Sequence, residues 1–199
     1  LMVAMHHEKK PFDDKRVRRA LSLALDRYEA SKNLSKIAIV KDVGGIQVPG
    51  APWAAPPEEL EKLGGYGRDI AKSRAEAKRL LKEAGVPEGY SFTFKNRGIP
   101  QPYEPVAIWM IDQWRQIGLN VKIETLELGT LYSDIRAGRF EVAADFHCSY
   151  IVEPDLALFK FQSTDLSPVN YSRYVDRTLD ALYEKQSRTA DREERRRHI

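Results

Sequence analysis

Pro11 to Arg27, PFDDKRVRRALSLALDR, is the stretch on which the fold turns. Proline is tolerated at a helix entrance but not in its interior, so a helix is expected beyond Pro11. Asp13 or Asp14 is placed to accept hydrogen bonds from its first free backbone N–H groups. Both carboxylates also sit at the positive end of the helix dipole. Val17, Ala20, Leu21, Ala24, Leu25 and Tyr28 recur at i, i+3, i+4, i+7, i+8 and i+11. That spacing lines one side of a 3.6-residue helix with apolar groups, and that side has to be buried.

Working outward, Leu1 to His6, LMVAMH, is a short apolar run expected as a buried strand. His6 and His7 are neighbours, and neighbouring strand positions face opposite ways, so a regular strand cannot direct both onto one metal. Tyr28 to Val40 reads as a second helix, with Leu34, Ile37 and Ala38 sharing a face. Lys41 to Pro57, KDVGGIQVPGAPWAAPP, holds tandem glycines and four prolines and is expected as a long ordered loop. Trp53 is its packing anchor. Leu60 and Leu63 make a short turn. Ser73 and Glu76 read as a capping box opening a helix through Ala77, Leu80, Leu81 and Ala84, which Gly85 ends.

From Tyr90 the pattern alternates as in an α/β sheet: YSFTFKN as a strand, Glu104 to Ile117 as a helix, and Leu119 to Leu126 as a strand after the stop at Gly118. Trp109 and Trp114 fall on helix rows facing the core. Leu119, Val121 and Ile123 alternate with Asn120, Lys122 and Glu124, which predicts a half-buried strand. Thr130 is placed to cap a helix through Arg136, and Glu141 to His147 forms the next strand. Val175 to Arg188 is helical by pattern, and ADREERRRHI begins another helix in which Glu193 with Arg197 and Glu194 with His198 are spaced to pair. The run Arg195 to His198 reads as a solvated helix face.

Composition narrows the function. The chain has 199 residues with 32 basic and 29 acidic side chains, a net charge of +3. So even a balance gives no reason to expect a nucleic-acid partner. No uninterrupted apolar run approaches the ~18 residues that span a bilayer, so membrane insertion is not expected. Cys148 is the only cysteine, which excludes an internal disulfide. The chain starts at Leu1 with no export signal in view, as expected of a processed or excised piece. Asp145, His147 and Cys148 are close in sequence, but strand neighbours 147 and 148 face opposite ways, so thiol and imidazole do not meet on a regular strand. Without an oxyanion loop, phosphate cradle, HExxH or CxxC pattern, neither catalysis nor a metal or cofactor is expected.

Four stretches carry a family resemblance. PFDDKRVRRALSLALDR resembles the PPFDDxRVRxALxxAIDR segment of family 5 solute-binding proteins, the receptors of ABC importers for peptides, nickel complexes and sugars. The loop around Trp53 resembles their GxxxPGxPW segment, and SRAEAKRLLKEAGVPEGY is similar to their AKxLLxEAGYxxG helix and turn. The stretch from Trp109 through GTLYSDIRAGRFEVA resembles the strand and helix that follow in the same order. The resemblance implies an α/β fold, a periplasmic-binding-protein-like type II lobe with a mixed sheet flanked by helices. Residues 1–199 would be one domain, the C-terminal lobe of a two-lobed receptor, truncated at both ends. It further implies a periplasmic or membrane-tethered extracellular monomer that binds a small solute and delivers it to permease subunits. The same fold resembles the ligand-sensing domains of transcriptional regulators, which stays open as an alternative.

In open α/β sheets ligands bind beyond the C-terminal ends of strands. Two loops qualify: NRGIPQPY, offering Arg97 and Tyr103, and HCSYIVEPD, offering His147, Tyr150 and Glu153. The plain alternatives are an Arg97 paired with a surface acid, a Tyr103 covering the core, and a Glu153 capping the helix that Pro154 begins. Peptide-binding members of the family resemble one another in an Asp four residues before the loop proline, where it pairs with the ligand's ammonium. Counting back from Pro154 gives Tyr150. A phenol cannot replace that pairing, which implies a peptide-like solute not held by its amino group, an opine or a sugar, with Arg97 holding a carboxylate.

Overall fold

The computed structural model describes residues 2–37, 42–146 and 151–199. Its centre is a four-stranded sheet of β1 (Met2–Met5), β2 (Ser91–Arg97), β3 (Asn120–Leu126) and β4 (Val142–Asp145), in the order β1-β4-β2-β3. β2 runs parallel to β3 and β4, and β1 lies antiparallel to β4, so the sheet is mixed as expected.

The two helices expected at the start of the chain are both present, and the first ends before its apolar stripe does. α1 (Lys15–Leu23) is capped by Asp14, whose carboxylate accepts from the Arg16 N–H at 2.8 Å, and it buries Val17, Ala20 and Leu21 with Ala24 just beyond. α2 (Arg27–Leu34) then starts on its own cap, Asp26, which accepts from the Glu29 N–H at 3.0 Å. A second capping carboxylate inside the stretch is why the stripe outlasts the first helix. α2 stops short of the expected face: Ile37 is exposed, and Ala38 to Val40 lie outside the described residues.

α3 (Pro57–Leu60) buries Leu60 but leaves Leu63 exposed. α4 (Ile70–Glu83) corrects the capping box: its cap is Asp69, accepting from the Lys72 N–H at 2.9 Å, while Ser73 lies inside the helix and Glu76 pairs outward with Arg79. α5 (Tyr103–Arg115) lays Trp114, wholly buried, against Phe92 and Phe94 with ring centroids 5.8 and 5.5 Å apart, and Trp109 packs half-buried on the same core. Gly85 and Gly118 take positive φ where α4 and α5 hand over to the strands, a conformation that side chains with a Cβ resist.

α6 (Leu128–Arg136) covers the other face. Its cap is Glu127, accepting from the Gly129 and Thr130 N–H groups at 2.8 and 3.2 Å, not Thr130. Neighbouring β4 residues serve opposite faces: Val142 and Ala144 join the core under α1, α4 and α5, and Ala143 joins Ala4, Leu131, Ile135 and Phe140 under α6. β3 is less buried than its alternation predicts, with Ile123 exposed, because an edge strand is covered on one side only.

The last helices are α7 (Pro154–Leu158), α8 (Arg177–Arg188) and α9 (Arg192–Arg196). Here the solvated-face reading holds for Arg196 and Arg197, which are exposed, and is corrected at Arg195. Arg195 turns inward to pair with Glu153 and Asp155, and its guanidinium lies 5.1 Å from the Trp53 ring centroid. Neither expected pair, Glu193 with Arg197 or Glu194 with His198, is among the ion pairs of the described residues. Trp53 is held from α9, which agrees with its reading as a packing anchor.

Candidate functional site

β2 and β4 pair in parallel through Phe94 with Val142 and Lys95 with Ala143, so their C-terminal residues, Arg97 and Asp145, emerge at the same end of the sheet. Arg97 is only 6% exposed. Its Nη1 donates to the Tyr103 hydroxyl at 2.7 Å, and the guanidinium carbon lies 4.3 Å from the Tyr103 ring centroid and 4.5 Å from that of Phe146. The buried Nε has no hydrogen-bond partner, and no carboxylate pairs with Arg97 among the described residues. Each ring offsets part of the desolvation of the cation, by about 0.5–2 kcal/mol. An unpaired buried charge costs several kcal/mol, so the rings alone leave Arg97 under-compensated.

The start of α5 is fixed from the strand beside it. Asn96, 1% exposed, donates through Nδ2 to the Tyr103 carbonyl at 3.3 Å. Successive strand residues point to opposite faces, yet here both reach Tyr103, one its backbone and the other its ring and hydroxyl.

Asp145, 2% exposed, is fully engaged. Lys160 approaches it at 2.5 Å, the Phe146 N–H donates to it at 2.8 Å, and the Lys160 ammonium also donates to the Phe146 carbonyl at 3.4 Å. Lys160 lies 4.9 Å from the Tyr171 ring centroid. Tyr132 of α6 joins the group through Phe146 and Tyr171, with ring centroids 6.5 and 6.2 Å away. Burial, with the Asp145 charge adding to it, pushes the Tyr132 phenol up to about 12, so it stays neutral at physiological pH. Two cations, Arg97 and Lys160, face one carboxylate, Asp145, and the group keeps one net positive charge among rings. Chemically, it offers an anion partner and flat apolar surfaces.

Of the residues expected from sequence, Arg97 and Tyr103 are brought into contact, and among the described residues no acid pairs with Arg97. His147 and Tyr150 lie outside the described residues. Glu153 stands at the N-terminal cap position of α7 but makes no side-chain cap bond; it pairs with Arg195 instead. Phe146, Lys160, Tyr132 and Tyr171 were not anticipated. Phe146 ends an apolar strand and offered a weak signal, whereas Lys160 and Tyr171 come from segments that only the three-dimensional arrangement brings to β4.

Comparison with known proteins adds a family and a fold. The model of bacterial extracellular solute-binding proteins, family 5 Middle, matches residues 1–165. Di/tripeptide-binding protein 3 of Pseudomonas aeruginosa is 27% identical over 201 residues, covering 97% of this chain and 35% of its own length. The periplasmic oligopeptide-binding protein OppA of Salmonella typhimurium is 29% identical over 194 residues, covering 94% of this chain and 34% of its own. The chain thus spans about a third of the length of these curated relatives. Among solved structures, the murein tripeptide binding protein MppA of Escherichia coli aligns with a TM-score of 0.83 at 21% identity, over 98% of this chain and 38% of that one.

Proposed function

The chain belongs to the bacterial extracellular solute-binding proteins of family 5, with the mixed sheet and flanking helices of type II periplasmic binding proteins, and on that premise we propose that it forms the C-terminal lobe of a two-lobed receptor for a peptide-like solute. The receptor encloses the solute between its lobes and hands it to the permease subunits of an ABC importer. It works as a monomer in the periplasm, or tethered outside the membrane, and does no chemistry on its cargo. The observation that carries this reading is the convergence of Arg97, Tyr103, Phe146 and Lys160 at the C-terminal ends of the parallel strands β2 and β4. Open α/β sheets bind ligands at that end, because side chains leave the sheet there and the loops diverge. Relatives whose names specify di- and tripeptides or oligopeptides support a peptide-like solute.

A thermal-shift screen of the full-length protein tests the reading, using pooled di- to pentapeptides, oligosaccharides, opines and metal chelates. Stabilisation by peptides, with contraction in small-angle scattering as the lobes close, is the expected result. Stabilisation by sugars or opines alone would overturn the peptide assignment, and stabilisation by none would overturn the receptor reading.

A further inference from the structure

We propose that Lys160 is a positioning residue for the loop that follows β4: with Asp145 it clamps the backbone of Phe146, the residue from which that loop departs. This rests on the receptor reading above, in which the loop faces the solute. Phe146 has no place in the strand pairing, since β1 and β2 are registered with β4 no further than Asp145 and Ala143. Its backbone is held by charged side chains instead. The N–H donates to Asp145 Oδ1 at 2.8 Å, the carbonyl accepts from Lys160 Nζ at 3.4 Å, and the same Nζ meets Asp145 Oδ2 at 2.5 Å. The bond to the carbonyl is long, so the grip on that side depends on Asp145 fixing the ammonium in place.

Lys160 is itself anchored without the loop. It lies in the turn Phe159–Phe161 after α7, where the Phe161 carbonyl accepts from the Tyr174 hydroxyl and the Gln162 carbonyl accepts from Asn170 Nδ2 at 2.8 Å. The Tyr171 ring centroid lies 4.9 Å from Nζ. The chain between β4 and α7, to which the sequence assigns His147, Tyr150 and Glu153, is thus bridged at its base by a bond between residues 14 positions apart. Such a bridge removes conformations that a solute would otherwise have to select against on binding. The clamp also sets the Phe146 ring, which lies 4.5 Å from the Arg97 guanidinium and packs edge-on to Tyr132 at 6.5 Å.

Stability does not explain the pair. Asp145 is 2% exposed and the Lys160 side chain 15%, and at such burial desolvation offsets most of the attraction, so well-packed apolar side chains hold a fold as well. What the pair adds is direction, because apolar groups have no grip on an N–H or a carbonyl.

A Lys160 that serves only as packing predicts that an apolar replacement which folds also binds normally. The experiment uses the full-length protein and Asp145→Leu/Lys160→Met, which removes both charges so that neither is left buried alone. Two quantities are measured: the fluorine NMR line of para-fluorophenylalanine placed at position 146 in ligand-free protein, and the concentration for half-maximal thermal stabilisation by the pool that stabilises wild type, expected to be the di- to pentapeptides. The double variant should melt within a few degrees of wild type. Its fluorine line should shift toward that of the free amino acid, and the half-maximal concentration should rise about tenfold. Asp145→Asn/Lys160→Met, which keeps an acceptor for the Phe146 N–H, takes its place if the leucine pair does not fold. Failure of both to fold makes the ion pair structural and overturns the inference. An unmoved fluorine line, or a moved line with unchanged response to the pool, overturns it and leaves the receptor reading standing. Wild-type protein that responds neither to peptides nor to oligosaccharides, opines or metal chelates overturns both.

Discussion

The indole Nε1 of Trp114 donates to the Leu21 carbonyl at 3.1 Å, a bond that ties α5 to α1 across 93 positions of the chain. Leu21 lies in the last turn of α1, where helix carbonyls have no intrahelical donor, so the bond satisfies two groups that would otherwise be buried and unpaired. Trp114→Phe keeps a ring in the core but leaves that carbonyl without its donor, and should cost about 1–3 kcal/mol in urea unfolding. Val17→Asp and Leu21→Asp should not fold at all, since an unpaired buried carboxylate costs as much as the ~5–15 kcal/mol of a typical domain. Arg19→Ala, on the exposed face, should fall within ~0.5 kcal/mol of wild type. Normal melts for the two aspartate variants would show that the stripe is not the core.

Arg195 locks α9 to the body. Its side chain is 16% exposed and meets Glu153, Asp155 and the Gln186 side chain, under the Trp53 ring. Exposed pairs are worth ~0.5 kcal/mol and breaking fully buried ones costs ~4, so Arg195→Ala in this half-buried setting should cost about 2 kcal/mol. Hydrogen exchange should quicken in α9 and in residues 42–57. Arg197→Ala, two positions on and exposed, should change neither. Equal effects of the two substitutions would return Arg195 to the solvated face.

The two adjacent histidines make stability depend on pH. Burial, with Arg18 and His6 adding to it, lowers the His7 imidazole from 6.5 to about 4. Burial, with Lys9 and Arg173 nearby, lowers His6 as well, and its Nδ1 accepts from the Glu8 N–H at 3.3 Å, which requires that nitrogen to be unprotonated. The unfolded chain therefore binds protons that the folded chain refuses. Stability is full above the ordinary value of 6.5 and falls as pH drops from there toward about 4. The Asp14 carboxyl, held down to about 2 first by its hydrogen bond from Arg16, contributes stability present above 3.8 and lost only below that range. Urea midpoints should decline between pH 7 and 4.5, and His7→Gln should flatten much of that decline. An unchanged slope would assign the dependence to other groups.

What was legible in the sequence was local. The stripe Val17, Ala20, Leu21 and Ala24 needed only helical spacing, and the strand–helix alternation after Tyr90 needed only a change of period. Caps were harder, because several candidates compete and the winner is the residue at which the backbone turns into the helix. Asp69 prevailed over Ser73 and Glu127 over Thr130 for that reason. Exposure of Ile123 follows from β3 lying at the edge, and strand order is not a local property. The site divides in the same way. Arg97 and Tyr103 belong to one strand end and its loop, so position alone brought them forward, while the hold of Lys160 on Asp145 depends on how α7 and the turn after it return to β4.

The final prediction concerns the solute's amino end. The family resemblance puts Tyr150 where peptide-binding members carry an aspartate that pairs with the ligand's ammonium, although Tyr150 lies outside the described residues. A phenol at its ordinary value near 10 is neutral at physiological pH and offers one hydrogen bond and a ring face, so it gains little from a charged ammonium. Acetylating the amino terminus of a bound peptide should therefore change its affinity for the full-length protein by less than about threefold. Tyr150→Asp should restore discrimination, because a charge-assisted bond of about 1.5–3 kcal/mol corresponds to roughly ten- to hundredfold. Titration calorimetry on one peptide, free and acetylated, against wild type and Tyr150→Asp makes the comparison. A large loss of wild-type affinity on acetylation would mean that another acid receives the ammonium. Glu153 is the candidate to examine, since releasing it from Arg195 would free its carboxylate for that role.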